Sequence, residues 1–353
     1  MPDVIQLYNE HVNIVRDYDR IVWAEDFLGQ GDAILSKEDL IPNLVAAFSI
    51  NDRMIAVPYN VADLLLYYNV DYFKQAGYDA APQTIAEMAE MMSAIVEKTD
   101  AEYGLNTRFT SFELASFLTK IGADGTYIGN NNSGRSGYMT ELACQDELKA
   151  FLNEWQKVVD TGVYKPTKDS IVQEFAQGIH AMIITSSSNI VNLNNLVGNN
   201  FTWAVAQIPS VNASDAEGTM PSNGALFVVN RDDEARKAAA ELFVEYMASG
   251  DAQVMWHEKS GYVPVNVHTV ETDAYKAYVE KIPQLTVPYD ALMKATGKMV
   301  SPFTPNNDAV EDVIKGTMLS FGQGSITAEE AYNSLLDGCG AAFEEYYRVN
   351  PID

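Results

Sequence analysis

The chain has 353 residues, more than a single hydrophobic core usually holds, so two domains are expected. At 47% hydrophobic and 20% charged it has an ordinary globular composition, and no apolar run is long enough to span a bilayer. Acidic residues outnumber basic ones 49 to 23, a formal charge of −26 with no Lys/Arg cluster to offset it, which excludes nucleic acid as a partner.

Met1–Tyr8 alternates as a compact strand, and a helical stretch is expected from about Glu10 to Val22. The N-terminus lacks the basic region, apolar core and cleavage site of a signal peptide. A further helix is expected from Ser36, where Glu38 and Asp39 suit the positive end of the helix dipole. Arg53–Gly77 then reads as a short strand (Met54–Val57), a polar interruption (Pro58–Asp63), an apolar strand (Leu64–Tyr68) and a short helix stopped by Gly77. Two strands in line, broken by Pro-Tyr-Asn, suggest a chain leaving one sheet and entering another.

Thr84 and Glu87 form a capping box at the head of a helix reaching Lys98, with Ile85, Met88, Ala89, Met92, Ile95 and Val96 in one apolar stripe. Helices over Ser111–Ile121 and Leu142–Val159 flank a polar loop, Gly122–Tyr138. Near Gly178 another helix ends, a strand follows over His180–Ile184, and Thr185–Ser188 opens the next helix. Those hydroxyls are either ordinary caps or, with the free backbone N–H groups, an anion or sugar-hydroxyl site.

Strands are expected over Phe201–Ile208 and Ser222–Asn230, around a loop from Pro209 to Pro221. In the amphipathic helix Asp233–Ala248, the residues Ala240, Leu242, Phe243, Tyr246 and Met247 are expected to pack inward. A helix carrying Trp256 ends at Gly261, and Tyr262 heads an extended segment held by Pro264. From Thr272 onward the chain reads as helices, with a second capping box at Thr327 and Glu330.

Catalytic signatures are missing from the sequence: no Walker loop, no G-x-S-x-G elbow, no G-x-G-x-x-G after a strand. His11, His180, His257 and His268 show no i,i+4 pairing, and Cys144 and Cys339 cannot make a metal site between them. The two cysteines are one disulfide or two buried thiols; their separation does not decide. No catalytic residue, metal or cofactor is therefore expected.

Three segments together carry a resemblance: VPY….LLLYYN..YF..AG from Val57, F..G..AMI..SS..I from Phe175, and QVMWHEKSGYVPV over Gln253–Val265. They resemble the extracytoplasmic solute-binding proteins of ABC importers, in the sugar-binding branch (family 1), and most of all its glycerol-3-phosphate-binding subgroup. The resemblance implies an α/β two-lobe clamshell of the periplasmic-binding-protein type II, with the ligand cleft between lobes. It implies a discontinuous first lobe, residues 1–62 plus 228–285, and a second of residues 63–227 plus 286–353. It also implies that the chain begins inside the first lobe, which would lack its first strand and helix units and expose apolar neighbours.

By the same resemblance, the protein captures a sugar, polyol, glycerol-3-phosphate or glycerophosphodiester outside the cytoplasmic membrane. It would act as a monomer, periplasmic or at the cell surface, and deliver the solute to the membrane subunits of an ABC permease. A carbohydrate-active α/β hydrolase, or a sensor or adhesin on the same scaffold, are the alternatives. Ligand contacts are implied at Asn9, Tyr59, Ala62 with Asp63 beside it, Ser186, Ser187 and Ser188, Ser222, Asn223 and Gly224, and Tyr262. Several of these depart from the subgroup's pattern: Asn9 replaces an acid, and no arginine lies between Arg236 and Arg348 to meet a phosphate. Lys294 and Lys298 are the nearest cations upstream of that region, and Asn306 and Asn307 cannot supply charge. Tyr59, Tyr262 and Trp203 suit either stacking on a sugar face or the core.

Overall fold

A computed structural model describes residues 2–167 and 169–352, the side chain of Asn223 excepted. Among them the strands are, in chain order, β1 (Val4–Tyr8), β2 (Ile21–Val22), β3 (Ser49–Ile50), β4 (Arg53–Met54), β5 (Val57–Asn69), β6 (Tyr103–Asn106), β7 (Tyr164–Lys165), β8 (His180–Ser186), β9 (Trp203–Gln207) and β10 (Pro221–Val229). They follow the order β1-β10-β5-β8-β6-β7, with β2 also on β10 and β9 also on β5. The hinge of this order is β5. Its first half, Val57 to Asp63, pairs antiparallel with β10, whereas Leu64 to Asn69 pair with β8 and β9.

The polar interruption expected at Pro58–Asp63 is thus absent: thirteen residues run as one strand, all buried except Tyr68. Pro58 has no N–H to donate, and it is accommodated beside a register shift between Gly224 and Ala225 on the facing strand. The sequence change at Asp63 marks a change of sheet without a break in the backbone.

Both sheets are covered on both faces, which is why Leu64-Leu-Leu-Tyr67 is continuously apolar and does not alternate. Val57, Tyr59 and Val61 enter a core with Leu40, Leu44 and Val244, while Ala225, Phe227 and Val229 face Val12, Phe48 and Phe303 on the other side of the first sheet. Beyond Asp63, Leu64 and Leu66 pack into a large core with Trp155, Phe151 and Phe343; Leu65 and Tyr67 turn the other way, onto Phe175, Leu193 and Trp203. Each such side chain contributes roughly 1.5–3 kcal/mol by leaving water. The stripe expected in the helix Ile85–Lys98 buries as read, apart from Val96, which packs at the core margin.

The first fifty residues differ most from expectation. In place of a helix from Glu10 to Val22 there is a 3-10 turn, Asn9–His11, and one helical turn, Val12–Val15. Ile21 and Val22 instead pair with Val229 and Val228 of β10, a β-branched dipeptide taking a sheet edge. The helix expected from Ser36 is only the turn Lys37–Asp39, boxed by Ser36 and Asp39, and Pro42 starts a separate helix to Ala47.

In the helix Glu234–Met247, Ala240 and Val244 face the core, and Met247 packs at its margin. Leu242, Phe243 and Tyr246 stay 52%, 49% and 48% exposed, contrary to the expected inward stripe. The buried set follows an i, i+4, i+7 spacing, which leaves those three on the flanks. Further on, the chain weaves between cores. Ile282 and Leu285 pack beneath the second sheet, Leu292, Val300 and Phe303 beneath the first, and the helices Asn307–Gly322 and Ala328–Val349 return to the second. Every β10 partner lies in the first sheet.

Candidate functional site

Where β5 leaves β10 and passes to the second sheet, residues from both halves of the molecule line one small cavity. Glu10 and Ser222 come from the first sheet's side, Ser111, Phe112 and Asn307 from helix starts on the second, and Ser301, Pro302 and Thr304 from the connecting segment. It encloses about 60 Å³. The polar groups on its walls are hydroxyls, an amide and one carboxyl, without a lysine or arginine, and Phe112 and Pro302 supply apolar surface. Burial pushes the Glu10 carboxyl above its ordinary range.

Beside this cavity the β10 glycine is a crowded point. A Cβ at Gly224 would lie 3.0 Å from Gln6 Nε2 and 3.2 Å from Asn60 Oδ1, with Tyr8 at 3.6 Å. Tyr262 is joined to Tyr59, next to Asn60 on β5, through the ring of Trp256. The Tyr262 ring stacks at 6.2 Å on Trp256, which lies 4.8 Å from Tyr59. The local sequence dictates this placement. Gly261 takes φ +74° to end the helix, and His257 Nδ1 donates to the Tyr262 carbonyl at 2.7 Å, holding the turn. Tyr262 makes no hydroxyl hydrogen bond among the described residues.

The serines expected at the second strand-to-helix turn form a third group. Ser187 is fully buried, and its Oγ accepts from the Asp63 N–H at 3.0 Å. Ser186 Oγ lies 2.9 Å from Ser188 Oγ and accepts from the Ser188 N–H, while Tyr67 donates to the Ser186 carbonyl at 2.7 Å. Ser188 touches the Gly261 turn, where a Cβ would come within 3.3 Å of its carbonyl oxygen. Asp63 sits at the centre of the group with no exposed surface and, among the described residues, no hydrogen-bond partner for either carboxyl oxygen. Burial pushes its pKa up to about 8, against a smaller lowering by Ser187.

The remaining expected residues are placed as follows. Ala62 is buried opposite Ser222 in the β5–β10 ladder. Asn9 is buried with its amide donating to the Ala47 carbonyl at 3.0 Å and its Oδ1 unpaired. Asn223 pairs through its backbone with Val61, and its side chain lies outside the described residues. Trp203 stacks on Tyr67 beneath the second sheet and is core. Sequence reasoning missed Glu10, Ser111 and Phe112 altogether. Its one usable signal was the run of capping residues Thr110 and Glu113, which sets Ser111 at an open helix end. Among the described residues no group of three or more His, Cys, Asp or Glu could hold a metal ion, and Cys144 and Cys339 are free, buried thiols.

A mixed α/β chain folded as two lobes about crossing strands, with a polar cavity walled from both, defines a two-lobe binding protein. Its fold matches solved members of that class. The structure of the sugar-binding protein MalE from Xanthomonas citri superposes with a TM-score of 0.80 at 17% identity, over 100% of this chain and 86% of that one. UgpB from Mycobacterium tuberculosis in complex with glycerophosphocholine gives 0.75 at 20% identity, over 98% and 84%. Residues 1–284 match the bacterial extracellular solute-binding protein family, and the chain belongs to it. The chain is also similar to the sn-glycerol-3-phosphate-binding periplasmic protein UgpB of Brucella melitensis, 28% identical over 304 residues, 83% of this chain and 68% of that relative. No helix among the described residues is long and apolar enough to cross a membrane.

Proposed function

We propose that this protein is the solute-capturing subunit of an ABC importer. It takes a carbohydrate-type solute outside the cytoplasmic membrane and hands it to the permease without altering it. The lobes divide near Asp63 and just before Pro221, where strand partners change sheet. The observation that carries the reading is the polar cavity lined from both lobes at that crossing. Closing the lobes takes solute hydroxyls out of water, so each must find a donor or acceptor there. Tyr8, Asn60 and Tyr262, with Glu10, Ser111, Ser222 and Asn307, supply them; Ser187 and Asp63 brace the crossing strand.

The lining favours a neutral sugar or polyol over a phosphorylated one. A buried phosphate wants a charged partner, and the cavity offers instead a buried acid, Glu10. Relatives named for glycerol-3-phosphate and a neighbour holding glycerophosphocholine make those ligands the second choice.

Isothermal titration against glucose, maltose, glycerol-3-phosphate and glycerophosphocholine, with analysis of the recovered ligand, tests the proposal. Stoichiometric binding of unchanged solute by a monomer is the expected result. Turnover of any of them, or heat with none, overturns it.

A further inference from the structure

The polar cavity between the lobes shares a wall with a second one. Ser111, Pro302 and Thr304 line both. The second cavity, of about 50 Å³, lies inside the second lobe, beneath the starts of the helices Ser111–Lys120 and Asn307–Gly322. Its walls are Leu114, Leu118, Met139, Val310, Leu335 and Phe343, among others, and none of its lining residues carries a charge. The two thiols that face it are neutral, Cys144 pushed up to about 12 and Cys339 to about 11, each by burial.

Water gains little in such a space, because a buried water wants about two to four polar partners, and only the mouth residues Ser111 and Thr304 offer hydroxyls. A carbon group gains there what water does not. At roughly 10–15 Å³ of probe-occupied space per small group, the space admits about three to five heavy atoms. A cationic group is disfavoured, since no carboxylate and only one ring, Phe343, would face it.

We propose that this cavity is a specificity pocket for a small uncharged apolar substituent, such as a propyl group, carried by the solute held in the cleft. The inference rests on the carbohydrate-type solute proposed above and narrows it to derivatives with an apolar arm. The polar body stays between the lobes, and the arm passes the mouth at Ser111 and Thr304 into the second lobe.

The test measures affinity for glucose and maltose and for their propyl glycosides, in the wild type and in two variants that fill the cavity without touching the cleft, Ala115→Leu and Cys339→Leu. Burial of each methylene is expected to tighten binding about fourfold, so the propyl derivatives gain tens of fold over the parents. That gain disappears in both variants while parent affinity holds. Parents that bind without any gain from the propyl arm overturn the pocket and leave the solute-capturing function standing. A gain that persists in both filled variants also overturns it, by placing the arm elsewhere. Silence from parents and propyl derivatives alike overturns the pocket together with the choice of a neutral sugar, and the parents mark that failure as one of solute class.

Discussion

Replacing Asp63 by an asparagine isolates the cost of burying an acid at the lobe crossing. In the folded chain burial raises its pKa from 3.8 to about 8, so at neutral pH it is protonated when folded and ionised when unfolded. A raised folded pKa means the group's full contribution is present below the unfolded value and drains away as pH climbs to the folded one. Over the three-odd units between 3.8 and neutrality, at about 1.4 kcal/mol per unit, the loss is on the order of 4 kcal/mol. The nearest titrating neighbour is Tyr67, whose own ionisation is driven well above its ordinary range by burial and then by Asp63. It therefore adds no slope across this window. The substituted amide cannot ionise, so the Asp63→Asn variant loses only a constant, about 1–3 kcal/mol if the amide N–H groups stay unpaired. The assay is urea unfolding of both proteins in steps from about pH 4 to 9, and the quantity that decides is the slope of their difference. Wild type should lose stability relative to the variant by about 1.4 kcal/mol per unit up to about pH 8 and then run parallel to it. A difference that is flat across that range refutes the buried neutral acid.

Tyr262→Phe removes a hydroxyl that has no hydrogen-bond partner among the described residues and leaves the ring stacked on Trp256. Solute affinity should fall by roughly 0.5–1.5 kcal/mol in titration calorimetry with no change in melting temperature; unchanged affinity places the hydroxyl outside the pocket. For Glu10, burial raises the carboxyl pKa, so the acid form is retained in the cavity to higher pH than in water. Glu10→Gln should therefore flatten the pH dependence of neutral-solute binding, and a profile identical to wild type counts against a cavity role. Leu242→Ser and Phe243→Ser, on the exposed flank of their helix, should each shift stability within about ±0.5 kcal/mol, whereas an inward packing role would cost about 3 kcal/mol or more for the Phe. Chemical unfolding distinguishes the two.

Elements set by local chemistry were legible before the structure. Thr84 and Thr327 cap as their boxes require, and Gly77 and Gly261 take the positive φ that ends a helix. The crossing was legible from two strands in line across Pro58-Tyr-Asn60, and the change of sheet falls at Leu64, where the chain turns continuously apolar in a sheet covered on both faces. The continuity of β5 was not. Asn60 and Asp63 read as loop residues, yet tertiary pairing with β10 and the Ser187 hydroxyl holds them in a strand. Glu10–Val22 failed for a related reason: its apolar spacing suits a helix, but Ile21 and Val22 find partners more than two hundred residues away. The cavity was largely illegible because Glu10, Ser111, Ser222 and Ser301 belong to four separated segments, each polar in a way that surface residues commonly are.

Charge connects these observations. The chain carries a net charge of −26, yet the acids nearest the crossing, Glu10 and Asp63, are both shifted by burial toward the neutral form. An ionised Glu10 would place an uncompensated carboxylate in a cavity with no cation on its walls, at a cost of several kcal/mol. Burial shifts the Glu10 carboxyl on the cavity wall toward its acid form, which can donate as well as accept and does nothing for an anion. The outer field acts in the same direction, because a polyanionic surface opposes the approach of a phosphate and is indifferent to a neutral sugar. On the proposed reading, selection at encounter and selection in the closed cleft would agree on uncharged solutes, and the proposed apolar pocket beside Ser111 and Thr304 would discriminate among those by what they carry.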